Sequence, residues 1–250
     1  MRVPVKFING FSKNLKKYQT IINKYKKDKK VNETETIKVV NDILFELFGY
    51  DKYNDITSEY ITPNGRCDLA IRNSGKNGKI YMFIEVKKVT APLNDNHIEQ
   101  AVEYGRDGGV KWVVLTNAED WKVYKIENNK KKNVFEFNLL KLNLKNQKES
   151  EKIYAISKLG REKSVIEEIY SINKTNNKYV IAAILNRPET YKNIRRLIRK
   201  YLDKTAKITE SEIEDYITNH IMQSDVVNSH DAIDAQKYVN RQIRNTLKNC

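Results

Sequence analysis

Ile80-Tyr81-Met82-Phe83-Ile84-Glu85-Val86-Lys87-Lys88 is the stretch on which the reading of this chain turns. It has the period of a β-strand, so Ile80, Met82, Ile84 and Val86 share one face and Glu85 and Lys87 the other. At ~3.3 Å per residue the carboxylate and the ammonium stand about 7 Å apart on a rigid element. Acidic residues are depleted from strands and rarely buried without a partner, so Glu85 calls for a physical reason.

Upstream, Arg66-Cys67-Asp68-Leu69-Ala70-Ile71 reads as the neighbouring strand and sets Asp68 among apolar residues, 17 positions before Glu85. Asn64-Gly65 predicts a tight hairpin, and Ser74 to Gly78 a polar loop. Five strands are expected, over 56–61, 66–72, 80–88, 110–116 and 121–126. A helix over 96–106 between the third and fourth implies a right-handed crossover and parallel pairing. Two amphipathic helices precede the strands. The first covers 11–27, with Phe11, Leu15, Tyr18, Ile22 and Tyr25 as its apolar stripe and lysines elsewhere. The second covers 33–48, with Asn32 as N-cap and Gly49 as its end. The expected fold class is α/β, a mixed sheet flanked by helices.

Beyond about residue 145 the strand pattern stops. Helical periodicity covers 149–170, 178–186, 189–202, 209–222 and 229–248, with a capping-box signature at Thr209 and Glu212. The expected division is 1–145 and an α-helical domain over 146–250. The helix over 189–202 carries Lys192, Arg195, Arg196, Arg199 and Lys200. Ile194, Leu197, Ile198 and Leu202 read as its apolar side. Its basic residues suit phosphate contacts, or a solvated face on a packed helix. The last helix packs internally or pairs with a second copy, so a homodimer stays open.

The chain of 250 residues has 46 Lys and Arg against 32 Asp and Glu, a formal net charge of +14. A field of that sign favours polyanions. Two cysteines, Cys67 and Cys250, make no disulfide framework, and three histidines show no zinc-ligand spacing. No apolar run is long enough for a membrane span or a secretory signal, so no membrane partner and a cytoplasmic location are the default expectations.

The pattern [DE]-x-K occurs at Asp28-x-Lys30, Glu85-x-Lys87 and Asp120-x-Lys122. Only Glu85-x-Lys87 lies inside an apolar strand with an Asp on the strand before it. Metal-dependent phosphodiester hydrolysis explains such a set. Mg²⁺ takes hard oxygen ligands, which Asp68, Glu85 and the backbone carbonyl of Val86 would supply. Lys87 would orient or deprotonate a water, or stabilise transition-state charge. The competing reading is a surface Glu–Lys pair on a half-exposed strand. On the following helix Gln100 and Tyr104 are four apart and share a face suited to holding a phosphate or a nucleobase.

In this order and spacing the motifs resemble the N-terminal nuclease domain of type I restriction enzyme restriction subunits, and related stand-alone proteins, within the PD-(D/E)xK superfamily. The resemblance covers about 32–126. It runs from Asn32-Glu33-x-x-Thr36 and Leu47-Phe48-Gly49-Tyr50-Asp51 through the two strand motifs and Gln100-x-x-x-Tyr104. It closes on Leu115-Thr116-Asn117 and Trp121-Lys122-Val123-Tyr124. It implies a restriction-endonuclease-like core and a Mg²⁺-dependent endonuclease acting on DNA, with Mn²⁺ as a substitute. It further implies that Asp68 and Glu85 bind metal and that Lys87 is the catalytic lysine. Gln100 and Tyr104 match the Q-x₃-Y motif, and Glu33 an acidic residue near the metal. Cys67 stands where that pattern often has Pro. No G-x-x-x-x-G-K-[ST] loop occurs, so a nuclease module without an ATP-driven motor is expected. RNA as substrate, or a fold that binds nucleic acid or a partner without cutting, remain the alternatives.

Overall fold

The computed structural model describes residues 2–63, 65–73, 78–128 and 130–248. Asn64, residues 74–77 and Cys250, named above, lie outside the described residues. By contacts the chain divides into two compact units, Met1–Tyr170 and Ser171–Cys250.

The first unit opens with two helices, α1 (Val5–Lys27) and α2 (Glu33–Glu46). Phe7, Phe11, Leu15, Tyr18 and Ile22 recur at steps of three and four and are the buried residues of α1. Asn32 caps α2 by accepting from the Glu35 N–H at 2.9 Å. Gly49, at φ +77°, supplies the left-handed residue just beyond the end of α2.

Six strands follow in one sheet: β1 (Ile56–Thr62), β2 (Gly65–Arg72), β3 (Ile80–Val86), β4 (Trp112–Thr116), β5 (Asp120–Glu127) and β6 (Lys130–Asn138). Their spatial order is their chain order. All neighbours are antiparallel except β3 and β4, which are parallel and joined through α3 (Asp95–Asp107). That is the expected crossover. Thr62 pairs with Gly65, which closes the expected hairpin.

Each face of the sheet is covered. Leu69, Ile71, Met82, Ile84, Val86, Val114 and Val123 share a core with α1 and α2. Cys67, Ala70, Phe83, Val113 and Leu115 pack with Ile98, Ala101, Val102 and Tyr104 of α3. Ile80 also packs on the α3 side, whereas Tyr81 packs on the other, contrary to simple alternation. The register explains it: Ile71 pairs with Met82 but Arg72 pairs with Ile80, so Tyr81 is the extra residue of a bulge.

Two further departures concern extent. The sheet has a sixth strand beyond the five expected. β6 begins Lys130-Lys131-Lys132-Asn133, which reads as a polar turn, and its register shift buries the adjacent residues Val134 and Phe135. Such lysines belong to a protected edge strand. The first unit also extends past the expected boundary at 145. Three helices, α4 (Gln147–Ala155), α5 (Lys158–Glu162) and α6 (Val165–Thr175), follow β6. Ile153, Tyr154, Ile156, Val165 and Ile166 join the core shared by the sheet, α1 and α2. Trp112 Nε1 and Tyr81 Oη donate to Glu167 at 3.0 and 3.1 Å. These bonds tie α6 to the strands before the chain leaves this unit. The single helix expected over 149–170 is broken by Ser157, which caps α5, and by Ser164 at φ +55°.

The second unit is helical, with α7 (Lys178–Leu185), α8 (Pro188–Tyr201), α9 (Glu210–Asp215), a π-turn (Tyr216–Ile221), α10 (Ser224–Asn228) and α11 (His230–Lys248). The capping box at Thr209 and Glu212 is formed. One core holds Val180, Ala183, Ala235 and Val239, and another Tyr191, Ile213 and Ile217. Leu197 and Leu202, expected on the buried side of α8, are exposed. The short α9 reaches Tyr191 and Ile194 but neither of them.

Candidate active site

The site grows from a place where β2 and β3 stop pairing. Their ladder runs to Leu69 opposite Ile84 and goes no further. Two residues on, the Val86 N–H lies beyond the last β2–β3 ladder pair. It donates instead to Asp68 Oδ2 at 2.7 Å. Around Asp68 the strand also loses its alternation, since Cys67 packs on the α3 side and Leu69 on the other. Opposite, Glu59 of β1 takes φ +50°, an uncommon conformation for a non-glycine residue. The distortion turns Asp68 toward β3, where Glu85 projects.

Glu85 is 4% exposed. Its Oε1 accepts from Lys87 Nζ at 2.6 Å, and its Oε2 is buried without a hydrogen-bond partner among the described residues. Burial, and after it the charge of Asp68, pushes the Glu85 carboxyl up to about 7, against the pull of Lys87. Asp68 is likewise raised, chiefly by burial, although the Val86 N–H and Lys87 favour its charged form. Burial lowers the Lys87 ammonium, but the hydrogen bond to Glu85 and the surrounding carboxylates raise it further, so it stays protonated. Glu33, in the first turn of α2, brings its Oε1 to 3.9 Å from Lys87 Nζ. The structure thus gathers the carboxylates of Asp68, Glu85 and Glu33 around the Lys87 ammonium.

Neighbouring residues fix this group. Lys87 N donates to Thr116 O at 2.8 Å, which continues the parallel pairing with β4. Thr36 of α2 is fully buried; its Oγ1 donates to Asn32 O at 3.1 Å and accepts from the Val89 N–H at 3.1 Å. One hydroxyl therefore links the start of α2 to the chain just after Lys87. Sequence alone does not single out Thr36 for this role. The signal available was a threonine in the first turn of a helix beside an acid, which is common in any N-terminal turn.

Gln100 Nε2 donates to Tyr104 Oη at 2.6 Å, as expected for one helical face. Tyr104 is buried against Gly65, three residues before Asp68. A Cβ at Gly65 would lie 2.8 Å from Tyr104 Cε1 and closer still to its hydroxyl. That close approach, with φ +152°, explains the glycine. Cys67 is buried, its thiol pushed up first by burial and then by Glu85, which makes it unreactive.

The two carboxylates form a set of hard oxygen donors, and the orphaned Glu85 Oε2 is the atom that a cation would satisfy. Among the described residues no group of three His, Cys, Asp or Glu side chains is arranged to hold a metal. A cation here would therefore draw on two carboxylates, with backbone oxygen and water completing its shell. That fits Mg²⁺, which keeps several waters.

The five basic residues of α8 belong to the second unit. Arg195 pairs with Glu210 at 3.7 Å and Arg199 Nε donates to Ala206 O at 3.1 Å. Lys192, Arg196 and Lys200 are exposed.

Residues 19–139 match the family described as type I restriction enzyme R protein N terminus. This segment is a restriction-nuclease-like domain, and it contains Glu33, Asp68, Glu85, Lys87, Gln100 and Tyr104. Among solved structures the chain is similar to the type IIG restriction endonuclease BpuSI, at 13% identity and a TM-score of 0.34. The match covers 83% of this chain and 29% of that one, so the chain spans under a third of that enzyme. No curated protein matches the sequence. Among the described residues, no helix is long and apolar enough to cross a membrane.

Proposed function

We propose that the first unit is a Mg²⁺-dependent endonuclease that hydrolyses DNA phosphodiester bonds, with Mn²⁺ able to substitute. The observation that carries this reading is Glu85. It is a buried carboxylate with one oxygen on an ammonium and the other without a partner, beside a second carboxylate. A structural ion pair satisfies both of its members. This arrangement leaves charge to be satisfied by something from outside.

Asp68, Glu85 and the Val86 carbonyl would hold the ion. Bound there, it would polarise the scissile phosphate and lower the pKa of a water. Lys87 would act as a fixed positive charge. Held protonated by Glu85, it is suited to stabilising the developing phosphorane charge rather than to taking a proton. Glu33 would position that ammonium from the far side. Gln100 and Tyr104 form a ready hydrogen-bonding pair beside β2 that would hold a substrate phosphate or base. In the second unit, Lys192, Arg196 and Lys200 would add phosphate contacts, and Arg195 and Arg199 would do so less because each has a partner. Cutting both strands of a duplex needs two such sites, which a homodimer would supply.

The experiment is calorimetric titration of Mn²⁺ into wild type, Asp68→Ala and Glu85→Gln, alongside cleavage assays on DNA and RNA. Binding lost in both variants supports the site, and DNA-restricted cleavage supports the substrate. Equal Mn²⁺ binding by all three proteins rejects the metal assignment. Retained, salt-sensitive DNA binding without cleavage supports instead a non-cleaving binding module.

A further inference from the structure

We propose that Lys24, Lys27, Lys29 and Lys30, where α1 ends and the chain turns into α2, form a backbone-binding ridge for duplex DNA at the mouth of the site. This inference rests on the nuclease reading above and names the surface that would seat its substrate.

The placement follows from contacts at both ends of the turn. Lys26 forms an ion pair with Glu119, in the turn between β4 and β5. β4 ends at Thr116, whose carbonyl accepts from Lys87 N. After the turn, Glu33 stands 3.9 Å from Lys87 Nζ. Lys30 is three residues before Glu33, so at 3.8 Å per Cα step their Cα atoms lie within about 11 Å. The end of α1 is thus held at the end of the strands where β3 and β4 finish and the carboxylates sit.

The charge there is not consumed within the unit. Lys24, Lys27, Lys29 and Lys30 are all exposed. None has an ion pair or a side-chain hydrogen bond among the described residues. Lys17, Lys26 and Lys38, nearby on the same two helices, are paired with Glu46, Glu119 and Glu35. The acid within the run is Asp28, and its Oδ1 is occupied by the Lys30 N–H at 2.9 Å. Lysine near a helix C-terminus also stabilises the helix through its dipole, but that effect fades beyond the last turn. Lys29 and Lys30 lie past the end of α1. Four unpaired ammoniums beside a set of carboxylates match a polyanion whose phosphates pass the site in a regular row.

The test measures binding of a short DNA duplex by fluorescence anisotropy in EDTA across a series of salt concentrations. Wild type, the quadruple Lys→Gln variant at these positions, the quadruple Lys→Arg variant and Lys87→Ala are compared, with thermal unfolding recorded for each. For the Gln variant the slope of log K against log salt should be shallower by roughly 3 to 4, because each lost phosphate contact removes about 0.9. Its Kd at low salt should rise at least ~10-fold. The Arg variant should keep the wild-type slope, and Lys87→Ala should keep most of the binding. A Gln variant with wild-type Kd and slope overturns the ridge. If that variant also cuts plasmid as well as wild type, the nuclease reading stands without the ridge. Failure of wild type both to bind and to cut overturns both.

Discussion

The main-chain N–H of Val86 donates to Asp68 Oδ2 at 2.7 Å, at the point where β2 and β3 cease to pair. One carboxylate therefore stands in for a backbone acceptor of the sheet while remaining next to Glu85. The strands open there, and the proposed site lies in that opening.

That double duty separates two substitutions. Asp68→Ala leaves the buried Val86 N–H without an acceptor, which costs about 1–3 kcal/mol. Asp68→Asn keeps an acceptor oxygen and removes a carboxylate that burial already disfavours as an anion. Urea unfolding at neutral pH without metal should place Asp68→Asn close to wild type and Asp68→Ala clearly below it. Both should lose Mn²⁺ binding. Equal stability of the two variants would mean that the Asp68–Val86 bond does not hold the strand.

Glu85 sets a pH dependence in the metal-free protein. Its folded value of about 7 lies above the ordinary glutamate value of 4.5, so between these the folded state binds more protons than the unfolded state. The stabilising contribution is fully present below about 4.5 and is lost as pH rises through about 7. The loss is on the order of a few kcal/mol. Unfolding free energies at pH 5 and pH 8 should show this decline in wild type and a smaller one in Glu85→Gln. Identical declines in the two would show that Glu85 titrates normally.

Gly65 and Tyr104 make a packing prediction. Gly65→Ala puts a methyl group into the tyrosine ring and strains a backbone at φ +152°. Overpacking of this kind costs about 1–3 kcal/mol. Tyr104→Phe removes only the hydroxyl that accepts from Gln100, about 1 kcal/mol. If Gln100 and Tyr104 hold substrate, Tyr104→Phe should lower cleavage more than its stability loss explains. Cleavage at the wild-type rate by a folded Tyr104→Phe would remove the pair from the mechanism.

Thr36 tests the tie between α2 and the site. Thr36→Val preserves shape but strips an acceptor from the Val89 N–H and a donor from Asn32 O, about 1–3 kcal/mol. Hydrogen exchange should quicken at Val89 and around Lys87. Unchanged protection there would show that the hydroxyl is not what anchors this segment.

Much of this was legible in the residues because period-2 and period-3.6 patterns are local. Glu85 and Lys87 fall on one side of an apolar strand, and Gln100 and Tyr104 on one side of a helix, without knowledge of tertiary contacts. What was not legible depends on partners. The bulge at Tyr81 and the slip at Asp68 are set by pairing with β2 and β3, so simple alternation misplaced Ile80. β6 hides behind Lys130 to Lys132, since an edge strand gains its hydrogen bonds from β5 and tolerates charge. Strand patterning ends at about 145, which is where sequence alone sets the domain boundary. The packing of Tyr154, Val165 and Ile166 into the sheet's core carries the unit on to Tyr170. Arg195 and Arg199 looked equivalent to their basic neighbours on α8. Only the fold shows that both are partly engaged.

Under the proposed function, Asp68, Glu85 and Lys87 cut DNA with a divalent metal. The direct measurement is conversion of supercoiled plasmid to nicked or linear form with Mg²⁺ or Mn²⁺, with EDTA and Lys87→Ala as controls. Cutting by wild type that both controls abolish, with Lys87→Ala still folded, is the expected result. Cutting that survives EDTA or Lys87→Ala, or no cutting by a wild type that binds Mn²⁺ and DNA, would contradict it.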